Sequence, residues 1–150
     1  PPLAEPSGVF VTLRHQGRLR GCIGFPLPTH PMSQACWLAA QRAALEDPRF
    51  LPVTGDELQG LGLEVSILTP GEPFDELSVW RPGVDGVLLE VGGHRSLYLP
   101  EVATETGWDA ERFMTELSLK AGLDADAWKQ PEARWLRFQT VTAEGAVSEA

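Results

Sequence analysis

Cysteine is scarce: the 150 residues contain only Cys22 and Cys36. Two thiols do not make the disulfide framework of a small secreted scaffold, and they fit a reducing compartment. A cytoplasmic location is therefore expected. A chain of this length buries roughly two-thirds of the surface its unfolded form exposes, so it needs no staple. Long apolar runs are also missing. None approaches the ~20 residues that span a bilayer, which argues against a membrane partner. Pro1 to Pro6 carry neither the basic nor the apolar stretch of a secretory leader. Histidine is limited to His15, His30 and His94, and no CxxC, HxxxH or HExxH spacing occurs. No metal site is expected from local spacing. There is no P-loop and no GxGxxG, so no cofactor is expected either; Gly92-Gly93 reads as a hairpin turn.

Positive charge is in the minority, with 12 Lys/Arg against 21 Asp/Glu and a net charge of −9. That excludes a general nucleic-acid or anionic-membrane binder, because such binding rests on phosphate neutralisation. Five tryptophans without basic interleaving offer no single-strand platform. The charge is uneven, however. Residues 1–50 hold five basic and three acidic side chains, and the remainder hold seven and eighteen. Arg14, Arg18 and Arg20 make the one locally basic stretch, which can attract a small anion while a long polyanion is repelled elsewhere. Ordinary solvated strand arginines explain the same stretch.

The opening Pro1–Gly8 reads as a loop or arm. Val9–Leu13 and Leu19–Gly24 read as two strands of a hairpin. A three-residue loop at His15–Gly17 sets Arg14 opposite Arg18, Thr12 opposite Arg20 and Phe10 opposite Cys22. One face then carries Val9, Val11, Leu13, Leu19, Gly21 and Ile23. The other carries Phe10, Thr12, Arg14, Arg18, Arg20 and Cys22. Met32–Glu46 reads as an Ala-rich helix with Met32, Cys36, Ala39 and Ala43 on one stripe, closed by Asp47-Pro48. Leu61–Thr69 alternates as a strand. Gly86–Val91 and Ser96–Leu99 form a second hairpin. Asp109 caps a helix running to about Ala121, with Phe113 and Leu117 on its buried side and Gly122 at C′. Trp128 lies in a short helical turn, Trp135–Val141 is a last strand, and the tail after Ala143 is weakly specified. The fold class expected is α+β. It has a mostly antiparallel sheet, an N-terminal hairpin packed by the Ala-rich helix, and a smaller second lobe.

The segment Leu19-Arg20-Gly21-Cys22-Ile23-Gly24 resembles the hallmark of the AMMECR family. Gly8–Leu13 is similar to the family's GxFVTL strand, and Asp47-Pro48-Arg49-Phe50 to its DPRF. Leu63–Leu68 is similar to its IEISVL-type strand, and Leu99–Ala103 to LPQVA, with Glu101 where the family usually has Gln. Gly107-Trp108-Asp109 and Lys120–Leu123 complete the set. The likeness covers roughly Gly8 to Phe138. It implies one two-lobed α+β domain over residues 1–150 and a soluble intracellular protein. The resemblance also implies a helix ahead of the GxFVTL strand, which does not precede Gly8 here; a shortened chain and a branch without that helix both stay open. The resemblance further implies a setting beside a Memo-like protein and a radical-SAM protein, the AmmeMemoRadiSam system. It implies no particular activity.

Several residues are candidates for chemistry. Cys22 is a candidate nucleophile, because a guanidinium such as Arg20 on the same strand face favours thiolate. A small cysteine packed between glycines is the other reading. Gly21 and Gly24 either open a backbone concavity for a ligand beside Arg20 and Thr12 or admit the Ala-rich helix. Arg49 is aimed by the Asp47-Pro48 turn at an anion or is clamped to Asp47. Glu64 can reach Arg20 across the sheet. Two functions stay open. One is a ligand- or partner-binding component. The other is an enzyme with a Cys22/Arg20 site for a small anionic substrate.

Overall fold

The computed structural model describes residues 6–146. In chain order its strands and helices are β1 (Gly8–His15), β2 (Arg18–Phe25), α1 (Met32–Leu45), β3 (Leu61–Leu68) and β4 (Glu72–Phe74). They continue with β5 (Gly86–Val91), β6 (His94–Tyr98), α2 (Glu101–Thr106), α3 (Ala110–Lys120), β7 (Arg134–Phe138) and β8 (Thr140–Ala146). Two compact units result, residues 6–68 with 141–146, and residues 69–140. The fold is α+β, with antiparallel pairing between β1 and β2, β1 and β3, β4 and β7, β5 and β6, and β5 and β7.

The first unit holds a four-stranded sheet in the order β2-β1-β3-β8. Period-two alternation puts Val9, Val11 and Leu13 of β1 on one face. Leu61, Leu63, Val65 and Ile67 of β3 join them. α1 covers that face. Its buried stripe is Met32, Ala35, Ala39 and Ala43, and Cys36 packs at the edge of the same core. Four small or slim residues at helical spacing let the helix axis approach the sheet closely. The arm expected at the start is partly seen. Pro6 pairs with Pro31 and Ser7 is buried, while residues 1–5 lie outside the described residues.

The second unit holds the sheet β4-β7-β5-β6. Val87, Leu89 and Val91 of β5 pack on Phe113, Met114 and Leu117 of α3, with Trp80 and Trp128 closing the core. Gly92 and Gly93, both at positive φ, turn β5 into β6, as the two-residue hairpin turn requires. Asp109 accepts the Arg112 backbone N–H at 2.8 Å and starts α3; Gly122 at φ 81° follows its end. The expected strand Trp135–Val141 is in fact two. Gln139 breaks it by exchanging hydrogen bonds with Thr69: its N–H donates to Thr69 Oγ1, and its carbonyl accepts the Thr69 N–H, both at 2.8 Å. α2 was not expected from the sequence. It is one and a half turns long and ends at Gly107 in the left-handed region.

Candidate functional site

The first hairpin departs from the expected register, and that departure positions the site. The loop is two residues long: Gln16 and Gly17 sit at φ 52° and 78°, and His15 pairs with Arg18. Arg14 then faces Leu19, but Leu13 faces Gly21, so Arg20 is the extra residue of a β-bulge. Cys22 lies opposite Thr12, not Phe10, and Gly24 lies opposite Phe10. The bulge absorbs the residue that a longer loop would have held. Val9, Val11, Leu13, Gly21 and Ile23 therefore keep to one face, while Leu19 leaves the core and becomes exposed.

β2 is an edge strand, and the bulge turns Arg20 along that edge. Its Nε donates to Glu57 Oε2 at 2.7 Å and its Nη2 to Glu57 Oε1 at 3.0 Å. Its Nη1 donates to the Leu51 carbonyl at 2.7 Å and its Nη2 to the Pro52 carbonyl at 3.3 Å. Only 16% of the side chain is exposed. The expected contact with Glu64 is corrected: Glu64 pairs across the sheet with Thr12. Glu57 sits in the 3-10 turn Gly55–Gly60 and completes a capping box with Thr54. The Arg20 hydrogen bonds, followed by the Thr54 backbone N–H, hold the Glu57 carboxyl down to about 2. Arg20 thus fastens residues 51–57 to the sheet edge.

Asp47 makes the second knot on that edge. Only 2% of its side chain is exposed. Oδ2 accepts the Cys22 backbone N–H at 3.0 Å and Arg49 Nη2 at 2.7 Å. Oδ1 accepts the Arg49 backbone N–H and Nε, each at 3.0 Å. The hydrogen bonds from Arg49 are the main reason its carboxyl lies well below the usual carboxylate range. Asp47 thereby pairs an edge-strand N–H that no neighbouring strand can reach. Arg49 reaches outward from this clamp, 55% exposed and 5.4 Å from the centroid of the Phe50 ring. Leu51 follows at 82% exposure.

Cys22 is half-buried, with Sγ 3.3 Å from Thr12 Oγ1. The Asp47 hydrogen bonds are the main reason the Arg49 guanidinium holds its proton more tightly than usual. Cys22 thus touches Thr12, its backbone N–H and Arg49 Nη2 share Asp47 Oδ2, and Arg20 is committed elsewhere. Of the two readings open for the glycines, a ligand concavity or room for the Ala-rich helix, the geometry favours close packing. A Cβ on Gly21 would strike the Ala43 carbonyl of α1, and one on Gly24 would strike the Phe10 ring. Gly21 admits the backbone of α1 and Gly24 the Phe10 ring.

The histidines do not converge on the thiol. His15 packs against Gly60, His30 bonds to Thr29 Oγ1 at 2.9 Å, and His94 opens β6 in the other unit. Among the described residues no group of three or more His, Cys, Asp and Glu is arranged to hold a metal ion, and no helix is long and apolar enough to cross a membrane. A cavity of about 160 Å³ in the first unit is lined by Arg14, Gly62, Leu63, Glu64, Glu144 and Gly145. One of about 520 Å³ in the second unit lies beside α2. Neither takes in Arg20, Cys22 or Arg49. Sequence reasoning missed Glu57, Leu51 and Pro52 as Arg20's partners. The readable signal was Thr54-Gly55-Asp56-Glu57, which has the capping-box pattern.

A sequence profile of the AMMECR1 family matches residues 1–143. The chain belongs to the AMMECR1 family. A relative from Methanothermobacter thermautotrophicus is 51% identical over 138 residues, covering 88% of this chain and 72% of the relative. One from Thermococcus kodakarensis is 48% identical, covering 91% and 71%. The crystal structure of an uncharacterized protein from Pyrococcus horikoshii is similar, with a TM-score of 0.84 and 41% identity over 96% of this chain and 76% of that one. The Leu19–Gly24 segment that carries the family resemblance is thus the bulged edge strand β2, and Asp47-Pro48-Arg49-Phe50 holds the clamp beside it.

Proposed function

We propose that this AMMECR1-family chain is a binding component, and that its recognition surface is the outward side of the two knots on the β2 edge. The supporting observation is how Arg20 is used. All three guanidinium nitrogens donate inward to Glu57, Leu51 and Pro52, so the hallmark arginine builds a loop. That loop presents Arg49, Phe50 and Leu51, with exposed Leu19, Leu45 and Leu58 near the same segments. An exposed arginine stacked on an aromatic ring is the kind of side chain that anchors interfaces, and Leu51 beside it adds apolar surface. The Memo-like and radical-SAM proteins that the family resemblance implies are the partners to try, in the cytoplasm.

The test is calorimetric titration of each partner, purified, with the wild-type chain and with Arg49→Ala and Leu51→Asp. Loss of affinity by about tenfold or more in both variants, with unchanged circular dichroism, is expected. Partners that bind neither form, or bind the variants equally well, would overturn the reading.

A second reading is an enzyme acting on a small anionic substrate, with Cys22 as nucleophile. It is favoured by the Cys22–Thr12 contact and by Asp47, whose Oδ2 joins the Cys22 backbone to the Arg49 guanidinium. Arg49 Nη1, which has no hydrogen-bond partner among the described residues, would then take the anion in place of Arg20. Cys22→Ser separates the two readings. It leaves a binding component's affinity intact and abolishes an enzyme's turnover.

A further inference from the structure

The knots on the β2 edge leave Arg14 and Glu64 unused. Both line the cavity of about 160 Å³ in the first unit, together with Glu144 of β8. Arg14 pairs with Gly62 across β1 and β3, and Glu64 stands two residues beyond Gly62. Arg14, Gly62 and Glu64 therefore share a face of the sheet. β8 lies beside β3, where Ser66 Oγ is 3.2 Å from Thr142 Oγ1. Two residues from that contact on each strand stand Glu64 and Glu144, again on one face. The floor of the cavity is open at Gly62. A Cβ there would meet nothing nearer than the Arg14 carbonyl oxygen at 3.9 Å, whereas Gly21 and Gly24 are packed tight.

The charges around this cavity do not satisfy one another. Among the described residues, none of Arg14, Glu64 and Glu144 has an opposite charge within ion-pair distance. Glu64 is half-buried, so its carboxylate has partly left water without a cation in return. Its neighbour on β8 is a second carboxylate, and like charges on adjacent strands repel. Arg14 and Glu144 are exposed and stand on either side of β3. A lone anion in the cavity would meet two carboxylates. A lone cation would leave the arginine unmatched. A molecule carrying both charges answers all three groups. The volume equals about five waters at ~30 Å³ each, which suits a molecule of about five to seven heavy atoms.

We propose that this cavity binds a small zwitterion, an amino acid the size of glycine or alanine. Its carboxylate lies on Arg14 and its ammonium between Glu64 and Glu144. The guanidinium offers a carboxylate two parallel donors. The ammonium has three donors, enough for both glutamates. Filling the cavity in this way gives each of the three side chains the partner it lacks. No bond is made or broken. The site shares no residue with the Arg49 surface, so it stands or falls independently of the proposed binding function.

The test is to titrate the full chain with glycine and with L-alanine while following the backbone amide shifts of Gly62, Glu64, Glu144 and Gly145. Saturable shifts at these amides are expected, half-complete at about 10 mM or below. Propionate lacks the ammonium and ethylamine lacks the carboxylate, and each should bind about tenfold or more weakly than L-alanine. Arg14→Gln and Glu64→Gln should each weaken L-alanine by about tenfold or more, with the amide shifts of the second unit unchanged. Gly62→Val fills the floor with a residue that strands accept, and it should abolish the response. No saturable shift with either amino acid, propionate or ethylamine binding as well as L-alanine, or variants that bind like wild type would overturn the proposal.

Discussion

Gly21→Ala should destabilise the first unit by about 3 kcal/mol or more, a large cost for one methyl group. The added Cβ meets the carbonyl oxygen and carbon of Ala43. These are backbone atoms inside α1, and no rotamer change moves them away. The strand cannot yield either, because Gly21 is paired with Leu13 beside the bulge. Relief requires lifting α1 from the sheet, which opens contacts of Ala39 and Ala43 that are now closed to solvent. Urea denaturation followed by far-ultraviolet circular dichroism measures the cost. A midpoint equal to wild type would mean that the glycine is not there to admit the helix, and the ligand-concavity reading of this segment would return.

Asp47→Ala should cost about 3 kcal/mol, because the carboxylate is buried and four donors converge on it. The Cys22 N–H loses the carboxylate that pairs it on the open edge of β2. Arg49 is half exposed and recovers water, so it contributes less to the loss. Acid should produce part of the same effect without mutation. Both Asp47 and Glu57 have folded-state pKa values below their unfolded ones. Their contribution is therefore complete above about pH 4.5. It is lost as pH falls from there towards about 2 and below. Thermal midpoints recorded between pH 7 and pH 2.5 should fall most steeply below pH 4.5 in wild type. They should fall less steeply in Asp47→Ala, which has already lost one of the two groups. Parallel curves would show that Asp47 is not ionised in the native clamp.

Much of the architecture was legible because it is written in periodicity. The β3 alternation, the Asp109 cap and the Gly92-Gly93 turn each act over a few residues, and each appears where the pattern put it; the α1 stripe keeps Met32, Ala39 and Ala43 but buries Ala35 in place of the expected Cys36. The hairpin register was not legible. Gln16-Gly17 is a weaker turn signal than Asn-Gly or Asp-Gly, and apolar alternation cannot see a bulge that inserts a residue and then restores the same face. The fate of Arg20 was illegible for a different reason. Its partners are 31 to 37 residues away, in a turn with no apolar periodicity, so nothing local favoured Glu57 over Glu64. The Asp47–Arg49 clamp was one of two readings because both partners lie within three residues. That Asp47 also holds Cys22 follows only from the packing of α1 on the sheet.

Arg20 spends its guanidinium on the loop at 51–57, and in the proposed reading recognition falls to Arg49 and Leu51. Hydrogen exchange on Arg20→Lys tests it most directly, because a lysine keeps the charge but cannot bridge Glu57 and two carbonyls at once. Exchange at the amides of residues 53–58 should speed up by about tenfold or more, while β5 and β7 keep their wild-type protection. Unchanged protection across 53–58 would mean that Arg20 does not hold this loop, and the arginine would again be available to a ligand.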